Sequence, residues 1–299
     1  KGFGTLSQQA KTDFRWPHRK SVLSICGNKC TACNFGESPA MGLNAGWICA
    51  ILWACQFDKR QFKEHIMKKQ QLSAEQKRLE TDIWIIALVT LGVFLFYGAT
   101  GKQLMNFVTN SNISVVLRLL LNAGVQFGVA GLGITIVCIL RKENFTHFGL
   151  TRKKLFKTII GTIICFVPSI CYVFLSGQFI GYQPFSILIT NDVIASGIPF
   201  SILGMALIVL VWGFFEGFNY VVICDKINRR YPATNQWLDY GAIICAIVCI
   251  LFHPFSTSFW GIIEIITTFI AIYGMLIVKK KTANAWGCVF AFCFIWNAI

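Results

Sequence analysis

Charge is what this sequence has least of. Only 13% of its 299 residues are Asp, Glu, Lys or Arg, about half the 25% usual in soluble chains. With 55% of residues hydrophobic and a mean hydropathy of +0.61, too little polar surface exists to coat a water-soluble body. The same numbers exclude disorder over most of the chain. There is no His-Glu-x-x-His, no Walker A loop and no dinucleotide fingerprint, which removes the ordinary zinc peptidases, P-loop proteins and nicotinamide enzymes. No internal repeat, low-complexity tract or secretory signal peptide is seen. The 13 cysteines are scattered. Those at Cys138, Cys165, Cys171, Cys245, Cys249, Cys288 and Cys293 lie in apolar stretches and act there as small hydrophobes, not as a disulfide framework.

What the chain does have is long apolar runs. A spanning helix needs about 20 mostly apolar residues. Seven segments qualify, at roughly 83–100, 113–140, 158–177, 198–224, 237–253, 258–278 and 283–299. An eighth, 42–57, is short and reads as interfacial or part-way inserted. The expected fold is therefore all-α, a polytopic transmembrane helical bundle of about seven spans.

The net charge of +14 is distributed with a pattern. Lysine and arginine crowd into 58–80 (seven), 141–157 (six), 225–235 (three) and 279–281 (three), whereas 101–112, 178–197 and 254–257 hold only Lys102 between them. Rich and poor connections alternate across all seven spans, which is the positive-inside arrangement. It places 58–80 in the cytoplasm and the C-terminus outside, and it explains the basic balance without nucleic acid. Residues 1–80 read as a basic, cysteine-containing N-terminal region with a charged cytoplasmic helix at 59–80. Residues 81–299 read as the transmembrane domain, with 184–197 a short external interfacial segment. The expected location is an integral multi-pass protein in the plasma membrane of a prokaryote.

Ionisable and amide groups inside spans are costly and point to function. Glu216, His253, Glu264 and Asn297 are the main ones, with Arg118 near an outer span end expected to snorkel. At a rise of about 1.5 Å per residue, Glu216 lies roughly 14 Å and His253 about 21 Å from the basic end. Cys293, Asn297 and Glu264 fall about 18–24 Å deep. All sit in a middle slab of a hydrocarbon layer about 30 Å thick. A carboxylate beside an imidazole activates water, a carboxylate removed from water being the stronger base, and an amide donates to an oxyanion. That is the minimum kit for hydrolysing a buried peptide bond. Asn219 and Tyr220, three and four residues after Glu216, share its helix face and are candidates to orient it. The bland alternatives are a Glu–His pair tying helices together, Asn297 as a helix–helix hydrogen bond and Glu264 as a structural or proton-path group.

The stretch HFGLTRKKLFKTIIG, followed by FFEGFNY, FHP and YGMLIVKKKTANAW ahead of Asn297, resembles the CPBP family, the CAAX-processing and bacteriocin-processing glutamic-type intramembrane endopeptidases. The resemblance covers roughly 80–299. It implies a helical bundle with its site inside the membrane. The family pattern is Glu-Glu-x-x-x-Arg, Phe-x-x-x-His and His-x-x-x-Asn on three helices. The first Glu and first His activate water, and the last His/Asn pair holds the oxyanion. Here the motifs are degenerate. Phe215 and Glu216 stand at the two Glu positions with Tyr220 at the Arg, or, slid by one, Glu216 and Gly217 with Val221. Cys249 replaces Phe ahead of His253, and Cys293 replaces His ahead of Asn297. The implied function is a CPBP-like endopeptidase or an inactive homologue, acting on a peptide or lipid-modified polypeptide in contact with membrane lipid. A proton-linked transporter using Glu216, Glu264 and His253, or a non-catalytic scaffold or immunity protein, is the alternative. No cofactor is expected. Cys26, Cys30 and Cys33, with His18, are weak zinc candidates; three thiols in a reducing tail are more often unligated.

Overall fold

The computed structural model describes residues 72–233, 235, 237–252 and 256–298. Among them all regular structure is helical. Ser73 opens the first helix with a capping box, its hydroxyl accepting from the Gln76 N–H at 3.2 Å while the Gln76 side chain accepts from the Ser73 N–H at 3.0 Å. The helices are α1 (Ala74–Thr109), α2 (Val115–Arg141), α3 (Leu155–Leu175), the short α4 (Thr190–Ala195), α5 (Phe200–Arg230), α6 (Tyr240–Phe252), α7 (Phe259–Thr282) and α8 (Trp286–Trp296). By length and composition, α1, α2, α3, α5 and α7 can each cross a membrane, and α6 and α8 are shorter apolar helices. These seven coincide with the seven apolar runs of the sequence. The protein is an all-α helical bundle with the composition of a membrane protein. The charged residues 74–80 and the first apolar run form one continuous helix.

The outer surface supports this. Leu88, Leu95 and Phe96 on α1, Ile160 and Ile164 on α3, and Ile202 and Leu203 on α5 are all more than half exposed. In water such continuous apolar faces are an aggregation surface; against lipid tails they cost nothing. α5 is the central helix. It packs on α1, α2, α6 and α8, and its Phe218, Val221 and Val222 are fully buried with Cys245 and Cys249 of α6 and Ile272 and Met275 of α7.

At the basic end the connection 142–154 is sewn to the α7–α8 turn. The Ala285 N–H donates to the Gly149 carbonyl at 2.8 Å. The wholly buried Asn284 donates to the carbonyls of Thr151 at 2.7 Å and Lys153 at 2.6 Å. Gly149 has φ +103°, and a Cβ there would press on the Ala283 carbonyl, so only glycine fits without strain. The HFGLT and TANAW stretches of the sequence are thus two sides of one joint.

Also at this end lies a buried ion cluster. Asp82 of α1 is 0% exposed, and its carboxylate receives the Lys226 ammonium at 2.9 Å and the Arg141 guanidinium at 2.6 Å. Lys226, itself 0% exposed, also donates to Glu143, which in turn faces Arg78 at 3.6 Å. In the sequence Lys226 and Arg141 fall among the basic connections between spans. Instead α5 runs on to Arg230, so that Lys226 lies inside the bundle and its charge is neutralised there.

At the opposite end Arg118 does not snorkel. It is buried and binds Asp192 of α4 at 2.7 Å, with further hydrogen bonds to the carbonyls of Val108 at 3.2 Å and Ile113 at 3.1 Å. The segment 184–197 packs one side on the bundle. Ile189 and Val193 are buried against Val108, Leu119 and Ile208. The Gln183 and Ser186 N–H groups donate to the carbonyls of Ala298 at 2.8 Å and Asn297 at 3.2 Å. α8 rises only about 16 Å from its basic end, so the 182–187 backbone descends into the bundle to meet it. Irregular backbone at such depth is tolerated where protein or a cavity surrounds it.

Candidate functional site

Three of the bundle's helices contain a turn of π-helix: Gly128–Leu132 in α2, Val209–Phe215 in α5 and Phe292–Trp296 in α8. The α5 turn packs against both of the others. Such turns widen the helix by one residue, leave carbonyls imperfectly paired and concentrate at functional sites. Each lies beside a polar side chain: Gln126 precedes the first, Glu216 follows the second and Asn297 follows the third. These three side chains meet.

The Gln126 amide donates to the Glu216 carboxylate at 3.0 Å. The Asn297 side chain lies beside the same carboxylate, with its amide N–H directed to the Phe292 carbonyl at 3.5 Å. Glu216, Gln126 and Asn297 are each half-buried. Asn297 forms part of the wall of a cavity of about 300 Å³ with Tyr97, Asn122, Ser186 and Trp212. The cavity lies under the 182–187 segment. Glu216 stands 16 residues from the start of α5 and 14 from its end, near mid-length in a helix of about 46 Å.

Close packing sets this geometry. A Cβ on Gly213, one turn before Glu216, would run into the Cys293 sulfur, so α5 and α8 approach as small-residue crossings do. The Phe127 and Phe215 rings meet edge to face at 4.9 Å and hold α2 against α5 where Gln126 and Glu216 pair.

Of the residues singled out in the sequence, Glu216 and Asn297 are brought together. Cys293 is buried, packs on Gly213 and faces a separate apolar groove; its thiol is not beside Asn297's cavity. Asn219 makes no hydrogen bond to Glu216. Tyr220 is buried, stacked on Phe292 at 5.5 Å with its hydroxyl engaged by Cys249. Glu264 belongs to another network near the opposite end, where it accepts from the Tyr172 hydroxyl at 3.1 Å and Tyr172 accepts from Gln178 at 2.8 Å. His253, Cys26, Cys30, Cys33 and His18 lie outside the described residues. His147 is exposed. Among the described residues no group of three His, Cys, Asp or Glu side chains is placed to hold a metal ion.

Sequence reasoning missed Gln126, although it took up Asn297, an amide of the same kind. The signal was present: Asn122 and Gln126 are amides four residues apart, on one helix face, in an otherwise apolar run. It missed Asp82 by one residue, having begun the first apolar run just after it. In comparisons with known proteins, no family model, no curated protein and no solved structure matched the chain.

Proposed function

We propose that this chain is a CPBP-like intramembrane endopeptidase whose site is built around Glu216. The observation that carries the reading is the meeting of Glu216 and Asn297. The resemblance names these two residues for one site although they are 81 positions apart, and their side chains share a half-buried cluster at mid-bundle. Glu216 takes a proton from a water molecule as the water oxygen attacks the scissile carbonyl carbon. The Asn297 amide, turned toward the substrate, donates to the developing oxyanion. When the C–N bond breaks, Glu216 returns the proton to the leaving amine. Gln126 fixes the carboxylate's orientation. His253 supplies the second hydrogen-bonding partner for the water, as the resemblance assigns it. In this reading the chain is a multi-pass protein of a prokaryotic plasma membrane, with its basic connections in the cytoplasm and a peptide or lipid-modified polypeptide as substrate.

The test is cleavage of a fluorescent prenylated peptide and of a leader peptide by purified protein in liposomes. Wild type cleaves one of them, and Glu216→Gln and His253→Ala each lose at least about 100-fold, the size of a general-base contribution. Undiminished turnover in Glu216→Gln overturns the proposal.

One observation favours a second reading, a homologue that holds the polypeptide without cutting it. The residue at the family's second histidine, Cys293, faces away from the Glu216 cluster into the apolar groove, so the oxyanion is left with one donor. Removing a donor of this kind typically costs about 10²–10³ in rate. Saturable cross-linking of the intact peptide by wild type, with no product on the time scale of hours, identifies that case.

A further inference from the structure

A second hollow, independent of the Glu216 cluster, lies on the flank of the bundle. α3 packs on α7 and α8 and stands apart from α5, leaving α8 as the floor between them. The resulting groove encloses about 730 Å³, within the 300–1,000 Å³ range of small-molecule sites. Leu155 and Ile159 of α3 form one wall, Val209 and Leu210 of α5 the other, and Val289 and Phe290 of α8 the base. Leu210 and Phe294 remain 46% and 39% exposed, so the groove opens sideways, in the direction of the lipid.

Its lining contains a single charged residue, Arg152, at the basic end. Lys153, Lys154 and Lys157 follow within five residues, and all four cations are exposed. None pairs with a carboxylate among the described residues. This contrasts with Arg78, Arg141, Lys226, Arg229 and Arg230, each of which is bound to an acid.

We propose that the groove holds one acyl chain of an anionic phospholipid, with the phosphate on Arg152. An uncharged lipid leaves the guanidinium unused, and a zwitterionic one such as phosphatidylcholine brings a phosphate together with a choline cation that Lys153, Lys154 and Lys157 repel. A soluble anion satisfies the guanidinium and leaves the walls unused. A polypeptide strand carries backbone donors and acceptors that these walls cannot meet, at several kcal/mol per unsatisfied group. An anionic phospholipid meets all parts of the site: tail in the groove, phosphate oxygens on the planar fork of Arg152, and the neighbouring lysines at the headgroup surface. Basic pockets between helices at this depth are the usual seat of such headgroups.

The experiment is native mass spectrometry of the purified protein in neutral detergent, with phosphatidylglycerol or phosphatidylcholine of identical tails. Phosphatidylglycerol is retained at least fivefold more than phosphatidylcholine. Arg152→Gln lowers that retention about fivefold, the effect of one cation at an anionic surface. The fourfold variant Arg152→Gln, Lys153→Gln, Lys154→Gln, Lys157→Gln brings it to the phosphatidylcholine level. Leu210→Trp, which fills the groove from an exposed position, lowers retention of both lipids. Equal retention of the two lipids by wild type, or wild-type retention by Arg152→Gln, overturns the proposal. Arg152 is exposed and unpaired, so this variant folds whatever becomes of Leu210→Trp. Displacement of the bound lipid by millimolar inorganic phosphate alone also overturns it, by showing that the tail contributes nothing.

Discussion

Removing Asp82 leaves the buried Lys226 ammonium with one acid, Glu143, in place of two. Arg141 fares better, being partly exposed at 26%, and turns to water. Taking one partner from a buried ion pair costs about 3–5 kcal/mol, chiefly because a desolvated charge is left behind, whereas replacing the whole pair with apolar groups is often neutral. Asp82→Asn is therefore expected to destabilise by about 3 kcal/mol, the low end, because Glu143 remains. Asp82→Asn with Glu143→Gln strips Lys226 of both acids and is expected to cost more than the two single changes added together. Lys226→Met in that background deletes the stranded cation and recovers most of the loss. In wild type the same Lys226→Met change is destabilising, so its effect reverses sign with background. The assay is thermal unfolding in detergent followed by tryptophan fluorescence, in which about 3 kcal/mol corresponds to a midpoint shift of about 6–12 °C for a domain of this size. If Lys226→Met lowers the midpoint equally in wild type and in the double variant, the cluster is not a coupled charge network and the reasoning fails.

Gly213→Val places methyl groups on the Cys293 sulfur and is expected to cost about 1–3 kcal/mol by overpacking; Cys293→Ala added to it restores part of the midpoint, and no rescue refutes the close α5–α8 crossing. Arg118→Met strips Asp192 and two carbonyls of their donor and is expected to cost about 2 kcal/mol and to raise proteolysis within 182–197, whereas Asp192→Asn, at a carboxylate 51% exposed, costs below about 1 kcal/mol. If the chain is the endopeptidase proposed, Gln126→Leu keeps the fold but frees the Glu216 carboxylate to rotate, lowering turnover about tenfold with substrate affinity unchanged; a change confined to KM contradicts an orienting role. Asp239 supplies a pH dependence. Burial works to raise its carboxyl, but the Ala242 N–H, the Lys280 ammonium and the Asn228 amide outweigh burial and hold it below the ordinary range. A depressed carboxyl contributes stability that is complete above its unfolded value near about 4 and is lost as pH falls through the native value. The midpoint of wild type therefore falls below about pH 4 more steeply than that of Asp239→Asn, and parallel pH profiles refute the assignment.

The sequence by itself determined the architecture. Burial of backbone in a bilayer demands helices, and each of the seven apolar runs became one. Glu216 and Asn297 stood out because polar groups in apolar runs are rare. What surrounds them was decided by tertiary structure. Asn219 and Tyr220 follow Glu216 in regular α-helix, so the projected face is real. But the Glu216 carboxylate is met from other helices, by Gln126 of α2 and by Asn297 beyond α8, and no projection of a single helix shows such partners. The charge on Lys226 reads the same in sequence whether it faces water or Asp82; only the extension of α5 to Arg230 puts it inside. The groove beneath Arg152 has no linear signature either, because its walls are ordinary apolar residues of three helices and the space exists only where α3 and α5 fail to touch.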